Sequence, residues 1–251
     1  MKLSVLLGLD TLGEKTLNRI AELALSSQLD HVDDLTVQVK TNVDLIAQGR
    51  LESMLIDGKG LVMQQDLRMQ HMIIRIGQVA VNPMAALMGN IQLTHPTQGS
   101  AHITLTASDL TQAFNSTILN AQMQGVMIEE DGQEVVLDVQ SVSCQLCATG
   151  DLMIQATVCL RHQATVQHVE FYATPQIVDQ GRRVQLDHVR YTQGQDLPPA
   201  ITQALIERAA QVLDLKNFEM DGIHLNLETL TVTAETLTLE AIAHVIRFPK
   251  L

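Results

Sequence analysis

Eight stretches of this chain alternate apolar and polar residues with a period of two, and that rhythm constrains the fold more than any other feature. LTVQVK puts Leu35, Val37 and Val39 on one side and Thr36, Gln38 and Lys40 on the other. ITLT, VVLDV, LMIQATVCL, VQHVEFYATPQIV, VQLDHVRY, GIHLNLETLTV and TLTLEAIAHVI repeat the pattern. Successive side chains of a strand point to opposite faces, so each stretch buries one face and wets the other. The links between them include DGQ at Asp131, ATGD at Ala148, DQG at Asp179 and TAET at Thr233. A parallel pair needs a crossover of a dozen or more residues, whereas links this short close hairpins, so the sheet is expected to be largely antiparallel.

Three segments change to the helical period. TLGEKTLNRIAELALSSQL spaces Thr11 and Glu14 as a capping box, with Leu12, Leu17, Ile20, Ala21, Ala24 and Leu25 as its stripe. In TASDLTQAFNSTILNAQ, Thr106 or Ser108 is the cap and Leu110, Ala113, Phe114, Thr117 and Ile118 share a face. PPAITQALIERAAQVLDL opens on prolines suited to a first turn and turns Ile201, Leu205, Val212 and Leu215 inward. Single turns of helix are expected at NVDLIAQG and, with Pro83 leading, at NPMAALMG. Helices among strand meanders read as α+β. No stretch rich in Gly, Ser or Pro divides the chain, which is read as a single domain over residues 1–251.

Charge removes some functions. The formal net charge is −12, and no Lys or Arg occurs between Arg75 and Arg161. Nucleic-acid binding rests on cations neutralising phosphates, and the absence of tryptophan leaves few stacking platforms, so that class is excluded. Three cysteines, an odd count, argue against a disulfide framework and for a reducing compartment. SCQLC at Ser143 has no second pair to complete a zinc site and lies in a strand, so structural cysteines are expected. The nine histidines form no HExxH, and there is no nucleophile elbow or phosphate loop. The reading is therefore not an enzyme, with no metal or cofactor. Leu3 to Leu9 imitates an export signal, but Asp10 ends the run and no small-residue cleavage site follows, so a cytoplasmic or peripheral membrane location is expected.

Methionine is concentrated: six of eleven fall between Met54 and Met88, around LVMQQDLRMQHMIIRIG. From His71 onward both faces of that strand are apolar apart from Arg75, which asks for a cover on each side. One cover is the core. The other is either a helix such as NPMAALMG or a bound chain of variable length, which the unbranched, polarizable methionine suits.

The segments LGEKTLNRIAELALSSQLDHVDDLTVQVKT, GKGLVMQQDLRM, VAVNPMAALMGNIQLTHPTQGSAHITLTASDLTQAFNS and LDLKNFEMDGIHLNLETLTVTAETLTLEA together resemble the LmeA-like phospholipid-binding family of bacteria. The resemblance spans essentially the whole chain. It implies a fold similar to the tubular lipid-binding proteins, in which a curved, mostly antiparallel sheet wraps long helices and leaves an apolar groove for acyl chains. The resemblance carries over no set of functional side chains, so the candidates come from the pattern above. Acyl chains are expected against Met63, Leu67, Met69, Met72, Ile73, Met84, Leu87 and Met88, with Phe114 and Ile118 from the middle helix. Lys59, Arg68 and Arg75 are the headgroup candidates. The expected partner is a phospholipid or other amphiphilic lipid, met at a membrane surface for transfer or maintenance. The alternative is a ligand-free interaction module whose groove takes a partner helix or a second copy, as a homodimer.

Overall fold

The alternating segments pair antiparallel throughout, because hairpins join most sequential neighbours. A computed structural model describes residues 3–63, 66–87, 92–130, 133–161, 165–192, 199–212 and 214–248. The first half of the chain runs α1 (Leu3–Ser26), β1 (Asp34–Lys40), α2 (Val43–Ala47), β2 (Arg50–Leu51), β3 (Ser53–Met63), β4 (Leu67–Ile76), β5 (Val79–Ala80), α3 (Pro83–Leu87), β6 (Thr97–Thr106), α4 (Ala107–Phe114) and α5 (Thr117–Gln122). The second half runs β7 (Val126–Glu130), β8 (Gln133–Leu146), β9 (Leu152–Leu160), β10 (Thr165–Val178), β11 (Arg183–Tyr191), α6 (Pro199–Val212), β12 (Ile223–Val232) and β13 (Thr236–Val245).

Two sheets result. Six strands take the order β1-β3-β4-β6-β13-β12 and five take β11-β10-β9-β8-β7, while β2 and β5 form a small ribbon. Helix α6 packs against both β11 and β7, the two edges of the five-stranded sheet. That sheet is therefore curled into a half-barrel with α6 across its open side. Bulges at Val139/Ser141 and Tyr172/Thr174 supply local bends within the curled sheet. Helix α4 lies between the sheets, touching β4 and β6 of one and β8 of the other. One continuous cluster of buried residues joins the two inner faces.

Local chemistry explains the helix ends. Thr106 Oγ1 accepts the Asp109 N–H while Asp109 accepts the Thr106 N–H, a reciprocal capping box for α4. Asn42 Oδ1 caps α2 by accepting the Leu45 N–H, and Asn82 Oδ1 does the same for Met84 and Ala85 at the start of α3. The middle helical segment breaks at Asn115–Ser116 into α4 and α5.

Three expectations need correction. Helix α1 starts at Leu3, eight residues before Thr11, so Thr11 is interior to it and Glu14 serves instead as an acceptor for the Thr41 N–H at 2.9 Å. The curved sheet is not wrapped around long helices: α6 has 14 residues, and α1, with 24, lies outside along the edge of β1. Nor is β4 covered on both faces. β3 and β4 hold one register from Met54↔Ile76 to Met63↔Leu67, yet burial changes phase midway. Met72, Ile74 and Ile76 are buried on one side of the change, Leu67 and Met69 on the other, and Ile73 stays half-buried on the outer face beside Asp57 and His102. The switch falls at Gly60, whose φ of +59° turns β3 over, and a Cβ there would lie 1.8 Å from the Asp33 carboxylate.

Candidate functional site

Strand β11 holds the edge of the curled sheet, and His188 interrupts it with a left-handed φ of +52°. The bulge there opposes two residues to Ala173 of β10, since the pairing jumps from Tyr172↔Arg190 to Thr174↔Asp187. Below the bulge, Val184 and Leu186 face inward and are buried. Helix α6 crosses above them. Its Ile201 and Leu205 are buried, while Ile206 and Ala210 are half-buried on a second apolar stripe.

Between these elements runs a groove of about 670 Å³. Val184, Leu186 and Val189 of β11 form one wall, and Ile206 and Ala210 of α6 form the other. Polar residues rim it: Arg183, Gln185, Asp187 and His188 on the strand side, Gln203, Glu207 and Asp214 on the helix side. The volume is that of a small-molecule site, with five apolar side chains on its walls and seven polar ones around them. Arg183 is the cation of the rim, and its Nε donates to Asp179 Oδ2 at 2.6 Å. Carboxylates outnumber cations here, so the interior favours an uncharged apolar chain over a buried anion.

The residues singled out from the sequence do not meet in this groove. Met63, Leu67, Met69, Met72 and Phe114 are packed in the core at 0 to 6% exposure. Ile73 is half-buried on the outer face, and Met84 is 66% exposed on α3. Met88 and the side chains of Leu87 and Ile118 lie outside the described residues. Of the headgroup candidates, Lys59 and Arg75 are exposed on the six-stranded sheet. Arg68 is committed internally: its guanidinium donates to Asp109 at 2.7 Å and to Asp33 at 3.5 Å, tying β4 to the capped end of α4. Its pKa is raised, chiefly by the hydrogen bond to Asp109. The clue to the groove was the second apolar stripe Ile206/Ala210 on the last helix. The bulge at His188 leaves no mark in the alternation of VQLDHVRY.

Among the described residues, no group of three or more His, Cys, Asp or Glu is placed to hold a metal ion. The three cysteines are free, and burial pushes the Cys144 thiol up to about 12, leaving it protonated and inert. A family model described as LmeA-like phospholipid-binding matches residues 8–242. No curated protein and no solved structure matches the chain significantly.

Proposed function

Because the chain belongs to the LmeA-like phospholipid-binding family, we propose that it holds a phospholipid or similar long-chain amphiphile in the α6–β11 groove and carries it unmodified. The observation that carries this reading is the groove of about 670 Å³ at the open side of the half-barrel, whose apolar floor of Val184, Leu186, Val189, Ile206 and Ala210 lies within a polar rim of seven residues. Burying methylenes contributes ~0.8 kcal/mol each, so ten of them supply roughly 8 kcal/mol before the cost of association. No specific polar contact is then needed to retain a chain. The headgroup sits at the mouth, where Arg183 can share its guanidinium between Asp179 and a phosphate oxygen. This reading moves the acyl chain from the methionine-rich strand to the last helix.

Native mass spectrometry of protein purified without detergent, followed by lipid extraction, tests it. A stoichiometric mass excess that extracts as an amphiphile is expected. Ala210→Trp fills the groove from a half-buried position and should lose that excess while keeping the circular dichroism of the parent. Retention of lipid by the filled variant would remove the groove from the proposal. A bare polypeptide mass, unchanged after incubation with vesicles but doubled as a tight dimer, would favour the interaction module.

A further inference from the structure

Every residue of β11 from Arg183 to Val189 lines the α6–β11 groove. A strand shows alternate side chains to each of its faces, so a wall to which every residue contributes is a strand met edge-on. β11 is the last strand of its sheet, paired with β10 on one side and with no strand on the other. In an antiparallel edge strand, alternate residues aim both N–H and C=O away from the partner. The β11 wall therefore carries unpaired backbone donors and acceptors among its apolar side chains.

Elsewhere the molecule occupies such edges. Glu14, Asn18 and Glu22 accept from backbone N–H groups along β1 and just beyond its end, and Glu219 Oε1 accepts the Leu225 N–H on β12. Along Arg183–Val189 the backbone makes no hydrogen bond outside the β10 ladder, among the described residues. The polar side chains beside it are turned to other side chains: Arg183 donates to Asp179, Gln185 to Asp187 and, on α6, Gln203 to Glu207.

An open edge decides what the groove accepts. Methylenes laid along it strip water from its N–H and C=O groups and return no hydrogen bond, which penalises a bare hydrocarbon chain. An ester offers acceptors only, so it serves the strand N–H groups and leaves the strand carbonyls unpaired. A secondary amide carries a donor and an acceptor on one planar group, which is how an added strand pairs with an edge.

We propose that the amphiphile held in this groove carries its acyl chain on an amide. The amide pairs with the free edge of β11, and the chain lies against Val184, Leu186, Ile206 and Ala210. The inference rests on the lipid-binding reading and adds to it the chemical class of the ligand, N-acylated and not O-acylated.

Two neutral probes test it, N-hexadecanoylethanolamine and 2-hydroxyethyl hexadecanoate, alike except that an NH in the first stands where the second has an oxygen. They compete at equal concentration for the lipid-free full chain, with occupancy read by native mass spectrometry. Uptake of phosphatidylcholine by the parent and by Ala210→Trp is measured in parallel. The amide should bind about three- to tenfold tighter, the effect of one added hydrogen bond. Hydrogen exchange at alternate amides of Arg183–Val189 should be fast in the ligand-free protein and slow once the amide probe is bound. Equal occupancy, a preference for the ester, or uptake of phosphatidylcholine with neither probe overturns the amide and leaves the groove standing. So does slow exchange at all of these amides before any ligand is added, since the edge would then be closed. Failure to bind any of the three, or binding that survives Ala210→Trp, removes the groove and the inference with it. Slowing of the same amides by a blocked Thr-Val repeat peptide, with neither probe bound, replaces the lipid by an extended peptide and overturns the proposal.

Discussion

Asp151 carries three side-chain hydrogen bonds on a strand end of the half-barrel. It is 5% exposed and accepts from Thr174 Oγ1 at 2.7 Å, from Thr149 Oγ1 at 2.8 Å and from the Arg190 guanidinium. These bonds, Thr174 first, hold its carboxyl below the usual carboxylate range. A depressed folded pKa means that the unfolded chain takes up the proton more readily. The stabilisation is therefore complete above the ordinary carboxylate range and drains away as pH falls through it toward the folded value. Asp151→Asn should cost about 2 kcal/mol at neutral pH and flatten the acid limb of Tm against pH. A variant as stable as its parent at pH 7, with an unchanged acid limb, would show that the three donors satisfy themselves elsewhere. Such clusters mark the limit of legibility at this scale. Arg68 offered an even choice between solvent and headgroup in the sequence, because its partner Asp109 lies 41 residues away and nothing in the spacing connects them. The cap of α4 was readable to within Thr106 or Ser108, because a cap acts on residues only three places away.

Two helices protect strand edges by the same device. Along α1, Glu14, Asn18 and Glu22 accept the backbone N–H groups of Thr41, Val39 and Val37. Along α4, Thr111 and Asn115 bond the backbone of Cys144 and Val142, where β8 runs on past its pairing with β7. Each helix is antiparallel to its strand, and four helical residues rise ~6 Å while two strand residues rise ~6.6 Å, so the two ladders stay in step. Unpaired strand edges recruit other chains, and these side chains occupy them. Asn115 serves both groups of Val142, accepting its N–H at 3.0 Å and donating to its carbonyl at 2.6 Å. Asn115→Ala should therefore cost about 2 kcal/mol, and hydrogen exchange should speed at the Val142 amide while Val39, held by Asn18, stays protected. Equal acceleration at both amides would mean that the ladders are not independent. The helices themselves were legible from their apolar stripes, and so were most strands. β3 was not, because Gly58 and Gly60 with Asp57 and Lys59 between and beside them break its alternation. The ladders were invisible because a polar residue every fourth place on a helix looks like a solvated face until a strand edge is laid against it.

The class and the antiparallel pairing of the whole molecule follow from period and link length, but its curl does not. Bulges at Val139/Ser141 and Tyr172/Thr174 bend its strands locally, where one extra residue changes the direction of a strand without changing what kind of residue comes next. The groove exists only because the curled edge meets α6, so a reading from composition went to the methionines of β4, which the core absorbs. What binds the two sheets into one body is equally nonlocal. Helix α4 contributes Leu110, Ala113 and Phe114, each at most 3% exposed, to the layer between β4 and β6 on one side and β8 on the other. At the far edge Gly181, with φ +86°, brings the β10–β11 turn onto β12, where a Cβ would stand 2.3 Å from the Leu227 carbonyl. With a shared core and a backbone contact this close, the two sheets should unfold as one unit. Phe114→Ala removes a buried ring at the centre of that layer and should cost about 3–5 kcal/mol. The informative quantity is how the loss is distributed. Native-state hydrogen exchange should show central amides of β4 and β9 losing the same opening free energy, although Phe114 belongs to neither strand. If only one sheet loosens while the other keeps its protection, the chain contains two cooperative units that share α4 as a surface, and the half-barrel could open its α6–β11 groove independently of the sheet beside it.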